Sequence, residues 1–169
     1  MTPAAHEPPS AQDLPDREQV LAVCEGIKQT YLREGFGPGM AKFIAMVSYD
    51  GPLPDGYADQ PGPDPAMFGL PTEDDGARDD ALLRLNMPSC PAYRHDFDAL
   101  RAASCRIVIG VGAESSRMIA GRGGISVAER LGAPPVTFPG DHGGFLGGEY
   151  GGMGKPDEFA ATLHGILDA

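Results

Sequence analysis

The residue best suited to chemistry in this sequence is His142, set in the glycine-rich string Gly140-Asp141-His142-Gly143-Gly144. Imidazole gains and loses a proton near neutral pH, and flanking glycines let a substrate or nucleophile approach closely. As a general base it needs a nucleophile at one ring nitrogen and a carboxylate at the other. Glu114 is one candidate for the carboxylate, because it follows a strand-like run and could reach a histidine on a neighbouring loop. A glutamate in the first turn of a helix, favoured by the macrodipole, is the equal alternative for that residue. Glu7 is a second candidate. Asp141 is adjacent to His142, and sequence neighbours seldom point at each other.

The nucleophile has no candidate. A serine at a strand-to-helix elbow is written G-x-S-x-G, and that pentapeptide does not occur here. Ser126, in Gly124-Ile125-Ser126-Val127-Ala128, keeps the first half only, while Ser115 and Ser116 read as N-caps of a helix. Cys24, Cys90 and Cys105 read as core thiols. Gly110-Val111-Gly112-Ala113-Glu114-Ser115 holds two of the three glycines of a dinucleotide fingerprint, with Ser115 in the third place. No acidic residue ends the next strand before Asp141, so a nucleotide-binding βαβ protein stands as an alternative.

Ile107 to Val111 is a short, β-branched, continuously apolar run, the mark of a strand buried on both faces. Val136-Thr137-Phe138 predicts a second, shorter strand, and a helical pattern over 116–131 supplies the crossover that parallel strands require. His142 then follows the carboxyl end of the second strand, the edge where open α/β sheets place their chemistry. Upstream, Val20, Val23, Ile27 and Tyr31 recur at helical spacing, with Asp16 as a cap answered by Gln19 and Gly35 as the stop. Pro38 opens a second helix with the stripe Met40, Phe43, Ile44 and Val47. Residues 51–71 hold ten glycines and prolines and read as one long loop. The acidic run Glu73-Asp74-Asp75 and a weak helix over 81–85 follow, then a short helix over 97–103 capped by Asp96. Pro156 and Asp157 start a closing helix whose Phe159, Leu163, Ile166 and Leu167 share a face. Only two strands are predicted, so the run 107–111 lacks one neighbour. An unpaired edge of that kind predicts self-association.

A formal charge of −11 over 169 residues argues against nucleic acid or an anionic membrane as partner, since both attract basic surfaces. The three cysteines are odd in number, widely spaced and free of C-x-x-C, as expected of reduced thiols in a cytoplasmic protein. Residues 1–10 have neither the basic nor the apolar region of a signal peptide. No apolar run approaches the ~20 residues of a membrane span. No cofactor and no metal is expected.

The strings Ile107-Val108-Ile109-Gly110-Val111-Gly112-Ala113-Glu114-Ser115, Ala128-Glu129-Arg130-Leu131 and Phe138-Pro139-Gly140-Asp141-His142-Gly143-Gly144-Phe145 resemble the end of an α/β-hydrolase. Ala5-His6-Glu7-Pro8-Pro9 resembles the stretch leaving the preceding core strand. The resemblance implies an α/β class and a partial α/β-hydrolase fold: a helical lid followed by a terminal βαβα unit, the first core strands absent. Residues 1–9 would then be the exit from a core strand, 10–102 the lid or cap, and 103–169 the C-terminal part of the core. By the same resemblance His142 is the catalytic histidine. The family's acid usually falls one place after Glu114, where this chain has Ser115, which leaves either Glu114 or Glu7, the alternative acid after the preceding strand. The family's oxyanion loop and serine elbow come earlier than anything in these residues. The chain therefore resembles the C-terminal portion of a hydrolase, truncated or one part of a split protein and inactive alone. The complete enzyme would cleave an ester, amide or similar bond of a small molecule through a serine acyl-enzyme. A non-catalytic interaction module, using the 110–115 loop or the apolar strand edge, is the reading from a different class.

Overall fold

The strand missing from the sequence reading is Ala4–His6 (β1). A computed structural model of the chain describes residues 2–168. In chain order β1 is followed by the helices α1 (Arg17–Glu34), α2 (Phe36–Val47) and the short α3 (Met87–Ser89). After α4 (Phe97–Ala102) come strand β2 (Val108–Gly112), helix α5 (Ile119–Leu131), strand β3 (Val136–Phe138) and helix α6 (Pro156–Leu167). Two units result. Residues up to Asp13 join those from Arg94 onward in one, and Leu14–Tyr93 forms the other. The short helix α4 thus falls in the same unit as the sheet.

In the sheet unit the strand order is β1-β2-β3, all parallel. Ala4 pairs in register with Val108 and His6 with Gly110 on one side of β2, while Gly110 pairs with Val136 and Gly112 with Phe138 on the other. The central strand therefore has both neighbours, and the open edge expected on it does not exist. At three residues, between Pro3 and the Pro8-Pro9 pair, β1 is too short to show a period. All five residues of β2 are buried, as a strand covered on both faces should be. Alternation sends Ile109 against Phe97 of α4 and Val127 and Ala128 of α5. It sends Val108 against Phe138 and against Phe159 and Ile166 of α6. Helices therefore cover both sheet faces, an α/β architecture.

Helix α5 begins at Ile119, three residues later than the pattern suggests, and carries Gly121, Gly123 and Gly124 on its buried side. A Cβ at 123 would lie 2.6 Å from the Ser10 carbonyl oxygen and one at 124 would lie 3.0 Å from Val111 Cγ2. One at 121 would collide with the Ser115 carbonyl group. These glycines let the helix rest directly on backbone.

In the helical unit, Val20, Val23, Cys24, Ile27 and Tyr31 form the buried stripe of α1, and Gly35, at φ 92°, ends it. Asp16 does not cap that helix: its Oδ2 accepts from the Leu53 N–H at 2.7 Å and pins the following loop instead. Gln19 donates to Asp55 at 2.6 Å, so no capping box forms. Helix α2 starts at Phe36, ahead of Pro38. The acidic run is partly structural, because Asp74 grips the Arg78 guanidinium, whose Nε donates to the Leu32 carbonyl. The weak helix expected over 81–85 is a π-helical turn, Leu82–Asn86, running into α3.

Two helical glycines separate sterics from propensity. Alanine is favoured over glycine inside a helix by about 1 kcal/mol. Gly165→Ala, with nothing within 4 Å of the new Cβ, is expected to gain on that order in urea denaturation. Gly121→Ala is expected to lose about 1–3 kcal/mol through overpacking. A raised midpoint for Gly121→Ala would contradict the packing described.

Candidate functional site

At the end of β1 the Glu7 N–H still bonds the Gly110 carbonyl at 2.9 Å, but the Glu7 backbone turns to φ 46°. A left-handed conformation costs a non-glycine residue roughly 1–2 kcal/mol. Three hydrogen bonds offset it. Glu7 Oε1 accepts from the Gly112 N–H at 2.8 Å and from the Ser115 hydroxyl, and Oε2 meets His142 Nδ1 at 2.9 Å. The Glu7 residue is 1% exposed, whereas the His142 side chain is 63% exposed. With Nδ1 engaged, Nε2 is the nitrogen left for a reacting group.

The loops that bring these groups together are tied to each other. Ala113 N–H donates to the Phe138 carbonyl at 2.9 Å and Glu114 N–H to the Gly140 carbonyl at 3.0 Å. Asp141 Oδ1 accepts from the Gly143 N–H at 2.8 Å and shapes the turn that carries His142. Gly112 must lack a side chain, since a Cβ there would lie 2.6 Å from Ser115 Oγ and 2.8 Å from the Gly140 carbonyl oxygen. Protein atoms thus fill the space beside the glycines of the partial dinucleotide fingerprint. Helix α5 starts seven residues past Gly112.

Of the carboxylates weighed in the sequence, Glu7 meets the imidazole. Glu114 lies exposed and pairs with Lys155 Nζ at 2.8 Å. Neither Ser115 nor Ser116 caps α5, whose N-cap position is Met118. Ser115 is instead buried with its hydroxyl on the acid, a role its sequence context does not announce. Cys24 is buried in the helical unit, where burial pushes its thiol up to about 12 and keeps it protonated. His6 is the second residue that sequence reasoning passed over. Its ring lies 5.1 Å from Phe138, 5.0 Å from Phe159 and 6.0 Å from His142, centroid to centroid.

The proton balance follows from these contacts. Burial pushes the Glu7 carboxyl up, but hydrogen bonds from His142, Ser115 and the Gly112 N–H outweigh it and hold it below the ordinary range. The hydrogen bond to Glu7 raises His142 above the ordinary imidazole value against its own partial burial. Burial lowers His6, outweighing the attraction of Glu7. The couple is therefore carboxylate and imidazolium over a widened pH window. Its His142 contribution to stability is present below the ordinary imidazole value and lost as pH rises through the raised one. Its Glu7 contribution is present above the ordinary glutamate value and lost as pH falls through the lowered one.

No family model matches the chain, and neither does a curated protein or a solved structure.

The two histidines should titrate on opposite sides of the ordinary imidazole value in ¹H–¹⁵N spectra, His142 above and His6 below. Glu7→Gln should bring His142 down. A His142 value that is ordinary and unmoved by Glu7→Gln would contradict the pairing.

Proposed function

We propose that His142 and Glu7 are the general base and orienting acid of a serine-type hydrolase acting on an ester, amide or similar bond of a small molecule. The observation that carries this reading is the buried Glu7 carboxylate on Nδ1 of a mostly exposed imidazole, at the carboxyl ends of three parallel strands. As a serine hydroxyl attacks the substrate carbonyl, Nε2 takes its proton. The imidazolium so formed is stabilised by Glu7, which stays in place because Gly112 and Ser115 hold its other oxygen. Nε2 then returns the proton to the leaving group. A positioned base of this kind contributes about 10²–10⁴-fold to rate.

Ser115 is not the attacking group, because its hydroxyl is donated to Glu7 Oε1 and the acid lies between it and His142. The nucleophile and the oxyanion donors come, on the α/β-hydrolase resemblance, from strands that precede β1. In a p-nitrophenyl ester assay the 169 residues alone should turn over substrate equally as wild type and as His142→Ala. Extended by an in-frame upstream segment containing G-x-S-x-G, the chain should gain turnover that Glu7→Gln lowers by about 10⁴-fold. An upstream frame without that pentapeptide, or robust His142-dependent turnover by the 169 residues alone, would contradict the proposal.

A further inference from the structure

We propose that His6, Glu7 and His142 together form a binding site for a divalent transition metal of the zinc type. One donor atom from each lies within 4.8 Å of the other two, the one such group of three among the described residues. Two imidazoles and a carboxylate are a donor set that suits zinc. Zinc bonds nitrogen and carboxylate oxygen at about 2.0–2.2 Å, so tetrahedral donors stand roughly 3.3–3.5 Å apart. His142 Nδ1 and Glu7 Oε2, at 2.9 Å, are close to that spacing already. The third donor, on His6, lies within 4.8 Å of both. The rings of His6 and His142 are stacked, 20° from parallel with centroids 6.0 Å apart, so the two imidazoles border the same space.

The surroundings fit as well. His6 has one nitrogen to spare: Nε2 hydrogen-bonds the Asp141 carbonyl oxygen at 3.4 Å, whereas Nδ1 is buried with no hydrogen-bond partner. A half-buried imidazole in that state gains a partner when an ion arrives. Glu7 Oε1 is fixed by the Gly112 N–H and the Ser115 hydroxyl, which orients Oε2 as outer-shell bonds orient a metal ligand. The exposed side of His142 leaves a coordination position open to water, the arrangement of catalytic rather than structural zinc sites.

The inference stands on this geometry and does not require the hydrolase reading. An ion here occupies the His142 nitrogen that otherwise pairs with Glu7, so metal binding and proton relay exclude each other. The test uses tag-free, chelator-treated protein titrated with zinc by calorimetry and with cobalt(II) by absorption. One ion per chain is expected, with no thiolate charge-transfer band. The mostly exposed His142 can be replaced without loss of core, and circular dichroism checks that His142→Ala is folded. That variant should lose more affinity than the ~10–100-fold that removal of an outer-shell partner costs. Cys90→Ser, at an exposed thiol, should bind as wild type. Absence of saturable binding, unchanged affinity in His142→Ala, or a thiolate band would overturn the site. Because affinity is the readout, these outcomes leave the acid–base proposal to its own assay.

Discussion

A carboxylate almost out of reach of water has to be fully hydrogen-bonded to remain charged. Glu7 meets that condition with one backbone N–H, one hydroxyl and one imidazole, each from a different position along the chain. The rest of the sheet unit is arranged to make this possible. Strand β1 must pair beside β2 for Glu7 to reach the end of that strand, and the Glu7 backbone must turn left-handed to swing the carboxylate across it. Position 112 must be glycine for Ser115 to come close. The loop after β3 must be tied to the loop after β2 for His142 to arrive from the other side.

Packing explains why so short a sheet holds its geometry. With only three residues, β1 and β3 gain little from pairing alone. Burial does more. Ile109 and Val108 project into separate apolar clusters on opposite faces, one closed by α4 and α5 and the other by α6. The strand ends are thereby fixed on a rigid layer. Helix α5 gives up helix propensity at three glycines to lie against backbone, and one of these, Gly121, packs on the Ser115 carbonyl group. The turn that presents the Ser115 hydroxyl to Glu7 is held from behind by that contact.

Much of this was legible in the residues, and the exceptions have physical causes. Five consecutive apolar residues identify β2, because a strand buried on both faces needs no alternation, and Pro156 with the helical-period stripe behind it identifies α6. The His142 loop stands out for its glycines. Strand β1 carries no such signal; what demands it is the two-sided burial of β2, a tertiary requirement. Asp16 and Ser115 depart from the capping expectation for a shared reason. Both sit near a helix start and are good cappers by type, yet a long-range partner won each of them: the Leu53 N–H for Asp16 and the Glu7 carboxylate for Ser115. Glu114 and Glu7 could not be separated from the sequence, since that choice rests on which carboxylate is buried. Glu114 is exposed and pairs with Lys155 instead. The donors His6 and His142 escape any spacing rule because they lie far apart along the chain.

Glu7 keeps its charge although it is buried, because its hydrogen bonds outweigh the cost of burial. The most direct measurement is the pH titration of the Glu7 side-chain carboxyl by ¹³C NMR, with Glu7→Gln used to assign the signal. A charged carboxylate is expected throughout the neutral range, with a midpoint below that of an ordinary glutamate. A midpoint above it, the behaviour of a buried carboxyl without partners, would contradict the account.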